Sequence, residues 1–309
     1  MLFAIIRGLM QETSLPDVSY AGHGGTFIRL TCFRYELDFH LGLTRMGHLL
    51  RLGLSSLLLT AAALGCFPSP AAAQDNYEIQ VYDAETVEPG HTMVELHSNF
   101  TIEGTKQITD GVYPTNHALH ETVEITHGFT DWFETGFYIF TSARSGQGWQ
   151  WVGDHIRPRF RVPEKWHWPV GVSISNEIGY QRRQFSTDTW TWEIRPIVDQ
   201  KIGRWYWSFN PTFDRALQGV DVKQGFVFSP NLKFSFDFTP KIAGGIEYYG
   251  SLGPLTGFDP ISQQMHQVFP AVDLNIAPQW EINFGLGVGL TGSTDHLIVK
   301  MILGYRFDF

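Results

Sequence analysis

From His91 to the C-terminus, apolar and polar residues alternate with a period of two, in runs of roughly ten to fifteen residues. The last run is the clearest: Leu297, Val299, Met301, Leu303, Tyr305, Phe307 and Phe309 form one set. Lys300, Gly304, Arg306 and Asp308 lie between them, with Ile298 and Ile302 the apolar exceptions. Successive strand residues point to opposite faces, so this run predicts one greasy face and one mostly polar face. The same reading predicts strands over 91–102, 117–127, 132–142, 149–162, 168–182, 188–202, 205–216, 223–237, 241–250, 265–277, 280–290 and 296–309. In the eighth, Phe226, Phe228, Pro230, Leu232, Phe234 and Phe236 alternate with Val227, Ser229, Asn231, Lys233 and Ser235. In the fourth, Asp154 and Arg157 have opposite parity, which predicts a bulge.

A greasy face on every strand needs cover, either a second protein layer or lipid. The connections favour lipid. Gly128–Asp131, Pro163–His167, Gly203-Arg204, Phe238–Pro240 and Pro278-Gln279 are short, and they alternate with connections that include Glu103–Asn116 and Ser251–Gln264. Membrane barrels alternate short turns on one side with longer loops on the other, whereas a sandwich has no reason to do so. Rings also gather at both strand ends. Trp132, Trp166, Trp168, Trp205, Phe238 and Trp280 lie by the short turns, and Trp149, Trp151, Tyr180, Trp190, Trp192 and Tyr248 toward the loops. The expected fold is all-β, a closed antiparallel transmembrane β-barrel of about 12 strands.

The N-terminal third changes the picture in one respect. Residues 46–73 read as a signal peptide, with a basic start at Met46–Arg51, an apolar centre and Ala71-Ala72-Ala73 before the cut. Residues 1–45 then read as an upstream extension from a mis-called start. Cys32 and Cys66 are the only cysteines, so the chain after the cut has no disulfide. Residues 74–90 carry a short alternating run, Tyr77 to Tyr82, and form either a periplasmic segment or a plug in the lumen; the barrel spans 91–309. A net charge of -9 with no basic face argues against a nucleic-acid partner.

Candidate chemistry sits on the inward face. By parity it carries Glu95, His97, Glu124, Arg157, Arg159 and Arg161 on the first four strands. Glu177, Glu193, Arg195, Asp214, Lys233, Glu247, Lys300 and Arg306 follow on the later ones. Mixed charge in a narrow lumen suits either a salt-bridged interior or a constricted wet pore with a transverse field. Gly285, Gly287 and Gly289 leave room on the same face, for solute or for residues 74–90, unless they serve curvature. His91, His97, His117, His120 and His127 crowd the first hairpin with Glu95 and Glu124, but without a recognised ligand spacing, so no metal is assigned. Glu121 falls on the lipid face. Ser262 and His266 are the only close Ser/His pair in the loops, with no third member, and no hydrolase, nucleotide or zinc-protease fingerprint occurs.

The closing G-Y-R-F-D-F, ending aromatic-x-aromatic-x-Phe, resembles the C-terminal signature by which assembly machinery reads bacterial outer-membrane barrels. With the signal peptide and Glu121–Gly136 (E-T-V-E-I-T-H-G-F-T-D-W-F-E-T-G), the chain is similar to the putative transporters associated with the meta-pathway of phenol degradation. That resemblance implies a bacterial outer-membrane, porin-like channel for passive passage of small molecules, without a cofactor and not an enzyme. Its expected partners are outer-membrane lipid, the assembly machinery and a small-molecule solute. The alternatives are a barrel enzyme acting on lipid or lipopolysaccharide, or a closed structural barrel.

Overall fold

A computed structural model of the chain describes residues 76–308. The upstream extension, the signal peptide and Phe309 lie outside the described residues. Twelve strands form one closed antiparallel barrel in sequence order. They are β1 (His91–Glu103), β2 (Leu119–Thr130), β3 (Phe133–Arg144), β4 (Gly148–Arg161), β5 (Gly171–Gln181) and β6 (Asp188–Ile202). The second half comprises β7 (Trp205–Gly219), β8 (Phe226–Thr239), β9 (Ile242–Ser251), β10 (Met265–Leu274), β11 (Trp280–Gly289) and β12 (Leu297–Asp308). Closure is made by the final run of alternating residues, with Val94 opposite Tyr305, Leu96 opposite Leu303 and Phe100 opposite Val299. Closure leaves no unpaired sheet edge, which is what lets a sheet sit in hydrocarbon.

Where strands begin later than the alternation suggests, the backbone supplies the reason. Before β2, His117 adopts φ 58°, a left-handed conformation that breaks the extended run. Before β5, Glu164–Trp166 form a 3-10 turn that ends on His167 at φ 50°. Before β8, Gly225 stands at φ 83°. The turn–loop alternation holds less strictly than the sequence suggests: residues 162–170 make a long turn, and residues 145–147 a short loop. The bulge in β4 is present. Pairing with β3 shifts between Phe140 and Thr141, which face Gly153 and Trp151, and Val152 and Gly153 are both buried there.

The outside is apolar and the inside polar, the reverse of a water-soluble domain. Ile125, Phe137, Ile156, Ile174, Phe234, Ile246, Phe284 and Met301 are exposed. At the turn end Trp132 and Phe160 stack at 6.0 Å and Trp205 and Phe234 at 5.0 Å. Toward the loop end Tyr180 lies between Trp151 and Trp190, 6.0 and 5.6 Å away. Glu121 points outward, as its parity requires, and accepts a 2.7 Å hydrogen bond from Ser98 on the neighbouring strand. Such a bond lowers the cost of a carboxylate on this face.

The inward glycines of β11 do not leave open space. A Cβ on Gly287 would lie 2.2 Å from the ring of Phe269, and one on Gly285 would meet Lys300 and Phe269. The gap expected for solute is filled by a neighbouring aromatic. Gly287→Ala must push Phe269 off its packing, so it is expected to destabilise the barrel by about 1–3 kcal/mol. The check is the temperature at which the folded band is lost on a heat-modifiability gel. An unshifted midpoint would contradict this packing.

An occupied lumen as the candidate functional site

Residues 76–88 run inside the barrel, from the loop end to the turn end. At the loop end Asn76 donates a 2.7 Å hydrogen bond to Asp295, and its carbonyl accepts from Asn99 at 2.8 Å. Further down, the carbonyl of Tyr77 accepts from Thr122 at 2.7 Å and that of Ile79 from Lys300 at 3.0 Å. Asn210 and Ser208 hold residue 82: Asn210 accepts from its amide at 2.8 Å, and Ser208 donates to its carbonyl at 2.6 Å. Arg159 donates to the carbonyls of Asp83 and Glu85. At the turn end the Val87 amide meets Glu134 at 2.6 Å, and Gly90 donates to the Gly128 carbonyl at 2.8 Å. Backbone groups withdrawn from water need partners, and here wall side chains supply them.

Apolar side chains of the segment pack on the few apolar inward residues. Tyr77 joins Tyr138, Phe140, Val152 and Phe185, while Ile79 and Val81 join Tyr249, Phe269 and Ile298. Tyr82 meets Ile197. The Tyr82 ring also lies among three guanidiniums, with Arg157, Arg195 and Arg159 at 4.7, 4.9 and 5.6 Å from its centroid. A desolvated ring face attracts cations in this way. Its hydroxyl contacts Glu78 and lies 3.1 Å from Tyr138 Oη.

The inward charges fall into networks. Arg157 bridges Glu124 at 2.6 Å and Glu134 at 3.5 Å, and Arg159 also reaches Glu134 at 3.5 Å. Arg195 joins Glu193 at 2.7 Å to Glu78 of the segment at 3.4 Å. Lys233 reaches Asp273 at 2.8 Å and Glu247 at 3.3 Å, and Glu247 also holds Lys300. Glu177 pairs with His155, Asp214 stands opposite Glu193 in the ladder, and Arg161 meets Glu164 at 3.1 Å. Glu95 and His97 lie beside Glu124, whereas Arg306 lines a cavity of about 840 Å³ at the turn end. That cavity is bounded by residues 80–87 of the segment and by Arg159, Lys233, Asp199 and Trp280 of the wall.

The histidines of the first hairpin disperse. His120 lies edge-on to Tyr77 at 4.7 Å, His127 bonds Thr92 at 2.9 Å, and His91 meets Asp308 at 3.2 Å. Ser262 and His266 form no relay, because the His266 ring nitrogens are held by Tyr248 at 2.7 Å and Gln264 at 3.0 Å. Parity reasoning did not single out Ser208, Asn210, Thr122 and Phe269 as holders of the segment. The signal was present in apolar residues such as Ile197, Ile298 and Phe269 on an otherwise polar inward face, which need an apolar partner inside.

No family model matches the sequence, and no curated protein matches it. Among solved structures, the fold is similar to that of the COG4313 outer membrane channel from Pseudomonas putida F1. The two share 11% identity over 74% of this chain and 100% of that one, with a TM-score of 0.54. A KdgM porin solved in complex with disordered oligogalacturonate is more distant, at 10% identity over 70% of this chain and 99% of that one, with a TM-score of 0.41. At this identity the first likeness is one of fold.

Lys300 is fully buried between Glu247 and the Ile79 carbonyl. Removing one member of a buried pair leaves the other uncompensated. Lys300→Met is therefore expected to cost about 3–5 kcal/mol in urea or guanidinium unfolding of the detergent-solubilised barrel. A change below about 1 kcal/mol would contradict the network described here.

Proposed function

We propose that the protein is a channel of the bacterial outer membrane, closed at rest by its own residues 76–88, and that small solutes pass when this segment shifts. The supporting observation is the mode of holding. The segment is tied by individual hydrogen bonds and a caged Tyr82, but it adds no strand to the barrel, and the isolated bridge of Pro89 to Gly128 lies just beyond its end. The wall is therefore complete without it, and the turn-end cavity already gives a solute about 840 Å³ on one side. The charged lining at that end, with Arg159 and Lys233 facing Asp199 and Asp273, suits polar or amphipathic small molecules. We read the barrel as non-enzymatic, since the one candidate Ser/His pair has its imidazole engaged elsewhere.

Deleting residues 76–87 while keeping Pro89 and Gly90 is expected to give a folded barrel whose single-channel conductance in planar bilayers is several-fold above wild type. Tyr82→Ala is expected to raise the frequency of openings without removing the closed level. If the deletion conducts like wild type, the closing role is wrong.

A further inference from the structure

Glu95 and His97 are two residues apart on β1 and therefore share the inward face, and Glu124 of β2 lies directly opposite Glu95 in the ladder. One potential ligand atom from each lies within 4.8 Å of the others, and all three residues are buried, at 6%, 0% and 0% exposure. His97 Nε2 stands 3.3 Å from Glu124 Oε2 as an ion pair, whereas Glu95 Oε1 beside them has no hydrogen-bond partner. A buried polar atom is rarely left in this state, and this one lies beside two further atoms able to bind a metal.

We propose that Glu95, His97 and Glu124 form a binding site for a divalent first-row metal ion, with Zn²⁺ as the ion best suited to one imidazole and two carboxylates. Bonds of about 2.0–2.1 Å to a tetrahedral centre put neighbouring ligand atoms about 3.3–3.4 Å apart, the separation seen between His97 and Glu124. Glu124 is already oriented for the task. Its other oxygen, Oε1, accepts from Arg157 at 2.6 Å and from Thr126 at 2.7 Å, which turns Oε2 toward His97. Two glycines clear the space: a Cβ on Gly136 would crowd Thr126 and Glu124, and one on Gly304 would crowd Met93 and Glu95.

Charge points the same way. Among the described residues no ion pair reaches Glu95, and the Arg157 beside Glu124 is shared with Glu134. An uncompensated buried carboxylate is costly, and a divalent cation removes that cost. The ion also has a way in, because Glu95 and Glu124 both line the turn-end cavity, which leaves a fourth position for water or a solute carboxylate. His120, four residues before Glu124 and packed on Tyr77, takes no part.

The test uses the full chain, folded in detergent and stripped of metal with a chelator. Isothermal titration with Zn²⁺ is expected to show one equivalent bound, and Co²⁺ to give the visible absorption of a low-coordinate N/O site. His97→Gln and Glu95→Gln are each expected to weaken that equivalent by about 100-fold or more, and Thr126→Val by about 10-fold. His127→Gln, which changes an imidazole facing away from the site, is expected to bind as wild type. Absence of a one-equivalent phase in wild type overturns the proposal. Wild-type binding by His97→Gln overturns it as well. Heat-modifiable mobility reports folding, and if His97→Gln does not fold, Glu95→Gln decides.

Discussion

Charged groups enclosed in a narrow barrel must find partners, because the wall around them is protein and hydrocarbon rather than bulk water. That constraint shapes the whole interior. Arg157, Arg195 and Lys300 are buried on the inward face and Lys233 is half-buried there, and each is met by a carboxylate from the wall. The wall alone does not satisfy them all. Lys300 donates to a carbonyl of the lumenal segment, Arg195 reaches its Glu78, and three guanidiniums gather on its Tyr82. The segment thus completes an interior that twelve strands leave unfinished.

The same constraint makes the occupancy specific. Residues 76–88 form no regular ladder with the wall, so their backbone groups depend on particular side chains at particular heights. Asn99 and Thr122 serve the loop half, Ser208 and Asn210 the middle, and Arg159 and Glu134 the turn half. A foreign peptide of different length would not meet this series in register. Apolar contacts add to the specificity, since Ile79 and Val81 pack in one buried cluster with Ile298 and Phe269 of the wall.

The barrel was legible in the sequence because a strand's period of two is local and repeats in every element. In β12 the outward set from Val299 to Phe307 could be written down without any other part of the chain. Parity likewise placed Arg157, Arg159 and Glu124 inside. What it could not give was which inward groups meet, since Lys300 and Glu247 are far apart in sequence and joined only by the barrel's curvature. The glycines of β11 show the same limit, for the Phe269 ring that fills their space comes from the neighbouring strand. Strand starts slipped wherever a left-handed residue such as His117 or His167 interrupted the alternation, which residue type alone does not announce. Glu95, His97 and Glu124 were each visible, but their convergence depends on β1–β2 register, and ligand spacing along one strand does not reveal it.

The central claim is that residues 76–88 lie inside the barrel, and cysteine accessibility tests it most directly. The only native cysteines, Cys32 and Cys66, lie outside the described residues and can be replaced by serine. A single cysteine at Ile79, which is 1% exposed, is then compared with one at Gly146 in the short loop between β3 and β4. The account predicts that a bulky maleimide reacts at position 146 in the folded barrel and reaches position 79 only after heat denaturation. Equal labelling of both positions in the folded protein would contradict it.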